Sequence, residues 1–337
     1  MRKSIYILGF IGISFFGHSQ QQAVYSNFLM NDYYYNPAIA GSKDVHEANI
    51  TYRNQWVGFD GAPSLLMGNF QGSVNNQQKM GYGVSILSET AGITQNTGIY
   101  LNYAHHFKLS EKLRLGLGVQ PGYTQYRVKL YDAQLADQGD EVLTGTVYSA
   151  NAIDVSSGFH LYSEKFFLMG SMHHMLSKDV QFTQYNGNLD FHFNTIAGYT
   201  FSFNSDPKKK KKPFDLQPSV MIKYAHPAPI QWTAMLKGTL NKRFWVGLIY
   251  RSDDAAGISL GAQIRERFSV AYGYDYTLSR LSNFQAGSHE IMLSFVITKD
   301  KPSLAEEDDK LNNSIIEELK KKIEEKEKQE KQEQKNN

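Results

Sequence analysis

Two histidine pairs, His105–His106 and His173–His174, are the residues best suited to hold a metal or move a proton. Adjacent residues on a strand point to opposite faces, so neither pair chelates one ion through both rings. A serine beside a histidine would suggest acyl transfer, yet no Gly-x-Ser-x-Gly elbow occurs and no Ser–His spacing stands out. The carboxylates Asp253–Asp254 fall in a predicted outer loop, where solvation is their simplest state. No phosphate-binding glycine loop or dinucleotide fingerprint is present, and the glycines lie within predicted strands, where they relieve crowding or permit bends. Zero cysteine in 337 residues removes disulfides, thiolate metal sites and cysteine nucleophiles together. The expectation is a protein with no catalytic residue, no metal and no cofactor.

Charge excludes a further class. Lys+Arg 35 against Asp+Glu 33 leaves a formal charge of +2, without the dominant basic field of a nucleic-acid binder. The chain is 13% aromatic at a mean hydropathy of −0.44, so its apolar residues are spread thinly and regularly. No stretch reaches the roughly 18 apolar residues of a membrane helix, so a membrane protein here has to be a barrel. Residues 1–19 read as a signal peptide: Met1-Arg2-Lys3 is basic, Ile5 to Phe16 is apolar, and Gly17-His18-Ser19 supplies small residues for cleavage before Gln20. No cysteine follows, which excludes a lipoprotein.

The elements that must position everything else are strands. Met80, Tyr82, Val84 and Ile86 alternate with Gly81, Gly83 and Ser85, and Leu113, Leu115, Leu117 and Val119 with Arg114, Gly116 and Gly118. Trp232, Ala234 and Leu236, then Ile258, Leu260, Ala262 and Ile264, then Val270, Tyr272, Tyr274 and Tyr276, then Ile291, Leu293, Phe295 and Ile297 continue the period of two. A soluble sandwich also alternates. Three features favour a transmembrane barrel: apolar faces long enough to cross a bilayer at a tilt, opposite faces of Arg, Lys, Gln, Ser and Gly suited to a polar lumen, and Tyr and Trp gathered toward strand ends.

The predicted fold is therefore all-β: an antiparallel transmembrane barrel of about fourteen strands, within a range of about 12–16, over residues 45–299. One set of connections is mostly short and charged: Asn75 to Gln78, Leu109 to Glu111, Ser163 to Lys165, Asn204 to Pro213, Asn241-Lys242 and Arg265 to Arg267. The other includes the long segments Tyr131 to Thr146, Leu176 to Asn188 and Leu278 to Ser288. This places both termini in the periplasm. Five lysines, Lys208 to Lys212, form either a solvated turn or a basic patch toward anionic lipid or an acidic partner. Residues 300–337 are a charged tail. Leu311, Ile315, Leu319 and Ile323 mark a short periplasmic helix there, or the whole tail is solvated.

Residues 20–44 differ from the barrel. They are too aromatic for a linker and too irregular for a strand, and predict a packed irregular segment at the lumen or the periplasmic mouth, with turns at Asn36-Pro37 and Ala40-Gly41. Arg53, Gln55 and Trp56 close the first strand, and Gly61 to Pro63 lie in the first outer turn.

These motifs carry a resemblance. Gln21, Tyr25, Ser26, Phe28, Leu29, Met30 and Asn31, then Tyr35, Asn36, Pro37, Ala38, Ala40 and Gly41, then Arg53, Gln55 and Trp56, then Gly61, Ala62 and Pro63 resemble the PorP/SprF family of Bacteroidota outer-membrane proteins. The resemblance implies a non-enzymatic component of type IX secretion that supports export or surface anchoring of a large secreted adhesin-like partner, and in some members gliding motility. Its implied partners are that protein's C-terminal sorting domain, periplasmic or outer-membrane secretion and motility components, and outer-membrane lipid. Tyr25, Ser26, Met30, Asn31, Tyr33, Tyr34, Tyr35, Asn36, Pro37, Ala38, Gly41, Arg53, Gln55, Trp56, Gly61 and Pro63 become the candidate residues for partner contact or lumen packing. A porin or hydrophobic-compound transporter is the alternative from the same fold, and an outer-membrane hydrolase requires a Ser–His pair within hydrogen-bond reach.

Overall fold

The computed structural model describes residues 24–43, 45–74, 80–129, 147–176, 179–181, 186–188, 190–203, 213–225, 228–252, 254–265 and 267–297. The signal peptide, the charged tail, the lysine turn, the Asn75 to Gln78 turn and the Tyr131 to Thr146 loop lie outside them.

Fourteen antiparallel strands form a closed barrel. The first seven are β1 (Glu47–Asn54), β2 (Ser64–Val74), β3 (Met80–Ala91), β4 (Thr94–Lys108), β5 (Arg114–Lys129), β6 (Val147–Tyr162) and β7 (Phe166–His173). They are followed by β8 (His192–Tyr199, resuming as Phe201–Phe203), β9 (Phe214–Ala225), β10 (Gln231–Leu240) and β11 (Phe244–Arg251). Last come β12 (Ala255–Ile264), β13 (Phe268–Thr277) and β14 (Ser288–Val296). Each strand pairs with its successor, and β14 returns to β1 with Val296 opposite Glu47 and Glu290 opposite Arg53. Closure gives every strand a neighbour on both sides, which lets a sheet sit in a medium without water.

The period of two sets what faces where, and polarity is inverted relative to a soluble protein. Ile50, Ile86, Leu101, Ile153 and Leu248 point outward, each more than half exposed, while Asn49, Thr51, Asn69, Gln71, Asn102 and Gln120 are buried on the inside. An outward face this apolar is stable in lipid and costly in water. Leu248→Arg, in mid-strand on that face, should therefore destabilise the barrel by about 2–4 kcal/mol. Denaturant unfolding in lipid vesicles measures this, and an inward substitution such as Gln120→Ser serves as the contrast.

Connections divide between the two mouths. At the mouth where β1 begins and β14 ends, the described turns are tight, including 163–165 and the Asn241–Lys242 turn, whose residues both take positive φ. The opposite mouth carries the 55–63, 174–191 and 278–287 connections, and the latter contains the short helical turn Arg280–Phe284. Segregation of long from short is incomplete, because β3 and β4 are joined at this mouth by Gly92-Ile93 alone. Strands β4 to β6 are the longest, at 15, 16 and 16 residues.

Loops at that mouth are tied together by backbone hydrogen bonds. The Val57 N–H donates to the Gly287 carbonyl at 2.8 Å, the Ala286 N–H to the Val57 carbonyl at 2.7 Å, and the Gly92 N–H to the Gly61 carbonyl at 2.8 Å. Trp56, Gly58, Gly61 and Gly287 take positive φ there, which turns the chain sharply enough for these contacts.

Candidate functional site

Residues 24–43 lie inside the barrel. Asp32–Tyr35 makes one helical turn and Pro37–Ile39 a 3₁₀ turn, which starts at Asn36 because Asn36 Oδ1 accepts the Ala38 N–H at 2.8 Å and Pro37 lacks the donor. Val24, Tyr25, Phe28, Tyr33, Tyr35, Ile39 and Ala40 are buried in one apolar cluster with inward side chains from around the wall: Leu65 and Met67 of β2, Leu87 of β3, Met169 of β7, Ile196 of β8, Met221 of β9 and Ile249 of β11. Tyr34 meets Tyr25 and Tyr35 edge-on, at 5.1 and 5.0 Å between ring centres. Met30 packs separately against Trp245, Ala271 and Met292.

Two polar attachments hold the ends of this segment. At the first, Arg53 Nη2 donates to Asp275 Oδ2 at 2.8 Å and Arg53 Nη1 to the Ser26 hydroxyl oxygen at 2.7 Å, with Glu290 Oε2 at 3.4 Å. Glu290 in turn accepts the Ser26 N–H at 2.8 Å and the Asn27 N–H at 3.2 Å, while the Ser26 hydroxyl donates to Asp275. Arg251 joins through Asp254 at 2.7 Å and Asp275 at 3.6 Å. Thr51 donates to Asn31 Oδ1 at 2.7 Å. Arg53, Glu290, Asp275 and Arg251 are almost wholly buried, so charge pairing and the two backbone donors replace the water they give up. Asp254, predicted to be solvated, is instead engaged by Arg251.

The second attachment sets side-chain amides and an imidazole against backbone carbonyls, over strand glycines that let the backbones approach. Asn102 Nδ2 donates to the Pro37 carbonyl at 2.9 Å, and His106 Nε2 lies 2.7 Å from the Ala40 carbonyl. Asn36 Nδ2 donates to the carbonyls of Phe159 at 2.8 Å and Gly170 at 3.1 Å, in neighbouring strands β6 and β7. Gly81 and Gly118 are required here by close approach. A Cβ on Gly81 would overlap the Ala40 carbonyl, and one on Gly118 would overlap Pro37 and Ala38. The strand glycines thus form a flat seat for the Asn-Pro-Ala turn. Asn36→Ala strips the cap and both strand contacts from a buried site, so a loss of about 1–3 kcal/mol in barrel stability is expected. Heat-modifiability on gels, compared with wild type, reads it.

The candidate residues divide into two groups. Tyr25, Ser26, Met30, Asn31, Tyr33, Tyr34, Tyr35, Asn36, Pro37, Ala38, Gly41 and Arg53 meet in the lumen. Gln55, Trp56, Gly61 and Pro63 lie outside it in the 55–63 loop, where the Gln55 N–H donates to the Pro63 carbonyl at 2.9 Å and the Trp56 N–H to the Ser288 hydroxyl at 3.1 Å. The wall partners Asp275, Glu290, Arg251 and Asn102 escaped sequence reading. Their signal was a charge or amide at an inward strand position, which a polar lumen makes unremarkable.

Histidines behave partly as expected. His106 faces in toward Ala40 while His105 faces out toward Phe107. His173 and His174 break the alternation, because β7 ends at His173 and His174 takes φ +59. Both then point to the lumen, His174 Nδ1 at 2.8 Å from Asp154 Oδ2 and His173 Nε2 at 2.9 Å from the Tyr35 carbonyl. No group of three or more metal-ligating side chains occurs among the described residues. The Ser–His contact that a hydrolase needs does exist: Ser171 lies 3.2 Å from His173 Nε2 and Ser156 3.1 Å from its Nδ1. Yet Tyr35 covers the pair, its carbonyl taking the Ser171 hydroxyl at 2.5 Å, and Asp154 serves His174 instead. The adjoining cavity, between Tyr34, Tyr100 and His174, measures about 40 Å³, space for about three waters.

Among solved structures the chain is similar to the CymD monoaromatic hydrocarbon channel, at 10% identity and TM-score 0.46, covering 82% of this chain and 94% of that one. It is similar to a Pseudomonas aeruginosa FadL homologue at 11% identity and TM-score 0.38, covering 77% and 91%. The Pseudomonas putida toluene transporter TodX matches at 8% and 0.38, covering 82% and 93%. These values are too low to carry a functional argument. No curated protein matches the chain in sequence. The profile of the type IX secretion system membrane protein PorP/SprF matches residues 17–295, which span the lumen segment, its charged and glycine seats and nearly the whole barrel, and the chain belongs to that family.

Proposed function

We propose that this barrel is a non-enzymatic outer-membrane anchor or export accessory of type IX secretion. It retains a large secreted adhesin-like partner by that protein's C-terminal sorting domain and, in cells that glide, couples it to the motility machinery. The barrel ends at Glu47 and Val296 face the periplasm and its secretion components, and the 55–63, 174–191 and 278–287 connections face the partner. The observation that supports a holding role over a conducting one is the lumen segment: residues 24–43 sit where a diffusing solute would pass. The Ser–His pair sealed beneath Tyr35 favours binding over hydrolysis in the same way.

A deletion strain tests this reading directly. Loss of one very large secreted protein from the cell surface is expected, with other outer-membrane proteins unchanged. Unaltered surface display of every such protein would defeat it. Purified protein in a planar bilayer gives the second arm: a steady open channel would favour the porin reading, whereas a closed barrel is expected.

A further inference from the structure

The direction of the lumen segment has its own consequence. Ser26 is held by Arg53, one residue before β1 ends, by Glu290, two residues after β14 begins, and close to Arg251, the last residue of β11. All three mark the mouth that carries the 55–63 and 278–287 connections. Ala40 is held by His106, two residues before β4 ends, and Gly41 sits against Gly81, the second residue of β3. Those positions mark the opposite mouth, where β1 starts. The segment therefore runs antiparallel to β1 and traverses the lumen, over the roughly 20 Å that six strand residues cover.

We infer that the mature amino terminus emerges at the mouth bearing the long connections. Ile297, the last described residue, lies at the other mouth, where β14 ends, so Val24 and Ile297 mark opposite faces of the membrane. With cleavage before Gln20, only four residues precede Val24, a reach of at most about 14 Å. Val24 is already at the level of the first attachment, and the way back to the other mouth is filled by Phe28, Tyr33 and Ile39. This replaces the expectation that both termini are periplasmic. It adds the amino end to the surface formed by the tied loops, and it holds whichever partner that surface serves.

The absence of cysteine makes the test direct. Gln22→Cys, Asn283→Cys in the β13–β14 connection and Glu111→Cys in the exposed β4–β5 turn are each expressed in the full chain and treated in intact cells with a membrane-impermeant maleimide. Gln22→Cys is expected to label to the same extent as Asn283→Cys, and Glu111→Cys only after the outer membrane is permeabilised. Failure of Gln22→Cys to label in intact cells that label Asn283→Cys overturns the inference, whether or not permeabilisation exposes it. Should the barrel prove reversed in the membrane, with Glu111→Cys labelling first, grouping of Gln22 with Asn283 still supports the inference and grouping with Glu111 still overturns it. None of these readouts depends on secretion, so a failure of the anchor reading remains separable.

Discussion

Arg53→Met should lower the unfolding free energy of the barrel by about 3–5 kcal/mol, the usual cost of breaking a buried ion pair from one side. The guanidinium stands between Asp275, Glu290 and the Ser26 hydroxyl, and methionine fills its space while removing every donor. Two carboxylates then face each other with Arg251 as their remaining cation, and the Ser26 hydroxyl loses its Arg53 donor while the Glu290 and Asp275 contacts of the segment remain. Urea or heat denaturation in detergent micelles gives the magnitude. Arg53→Lys separates charge from geometry: one ammonium restores the sign but cannot span three acceptors in a plane, so partial recovery is expected. Wild-type stability in Arg53→Met would show that the cluster contributes nothing net, which is the result to look for first.

Gly118→Val is expected to have the larger effect on conduction. The side chain would enter space held by Pro37 and Ala38 backbone, and neither β5, bonded on both sides, nor the 3₁₀ turn can step aside. Relief of an overlap by side-chain motion typically costs about 1–3 kcal/mol, and here no side chain is available to move. The Asn-Pro-Ala turn is then forced off its seat, and Asn102, His106 and Asn36 lose their partners together. A steady current in planar bilayers, against a wild type expected to stay closed, is the expected signature. Gly68→Ala is the control, because nothing lies within 4 Å of its added carbon. If Gly118→Val stays closed and stable, the seat is not what holds the segment.

Much of this was legible in the sequence. Alternation identified the outward faces of β3, β5, β10, β12, β13 and β14 residue by residue, since lipid accepts only apolar side chains and a pleated strand has no third face. The irregular, aromatic character of residues 20–44 marked them as packed and separate from the strands. What stayed hidden has a common cause. An inward position in a polar lumen tolerates almost any polar residue, so Asp275 and Glu290 read like Gln120 or Ser85. The glycine pattern showed small residues on the inner face but not that Gly81 and Gly118 lie under the same turn, because that requires the register of three strands. The path of the segment has no periodicity to read at all. His174 shows the limit of the alternation rule itself: it fails one residue past a strand end, where φ changes sign.

The Arg53–Glu290 contact also falls on the one ladder of the barrel that no hairpin enforces. Thirteen neighbouring pairs are joined by the chain that runs from one strand to the next, whereas β1 and β14 meet only through hydrogen bonds between Glu47–Asn54 and His289–Val296. A cylinder made this way has a seam, the ladder whose register no connecting turn sets. Arg53 and Glu290 are register partners across that seam, and the Ser26 backbone and hydroxyl rivet both sides from within. The leading segment of the chain is thus the fastener of its last joint.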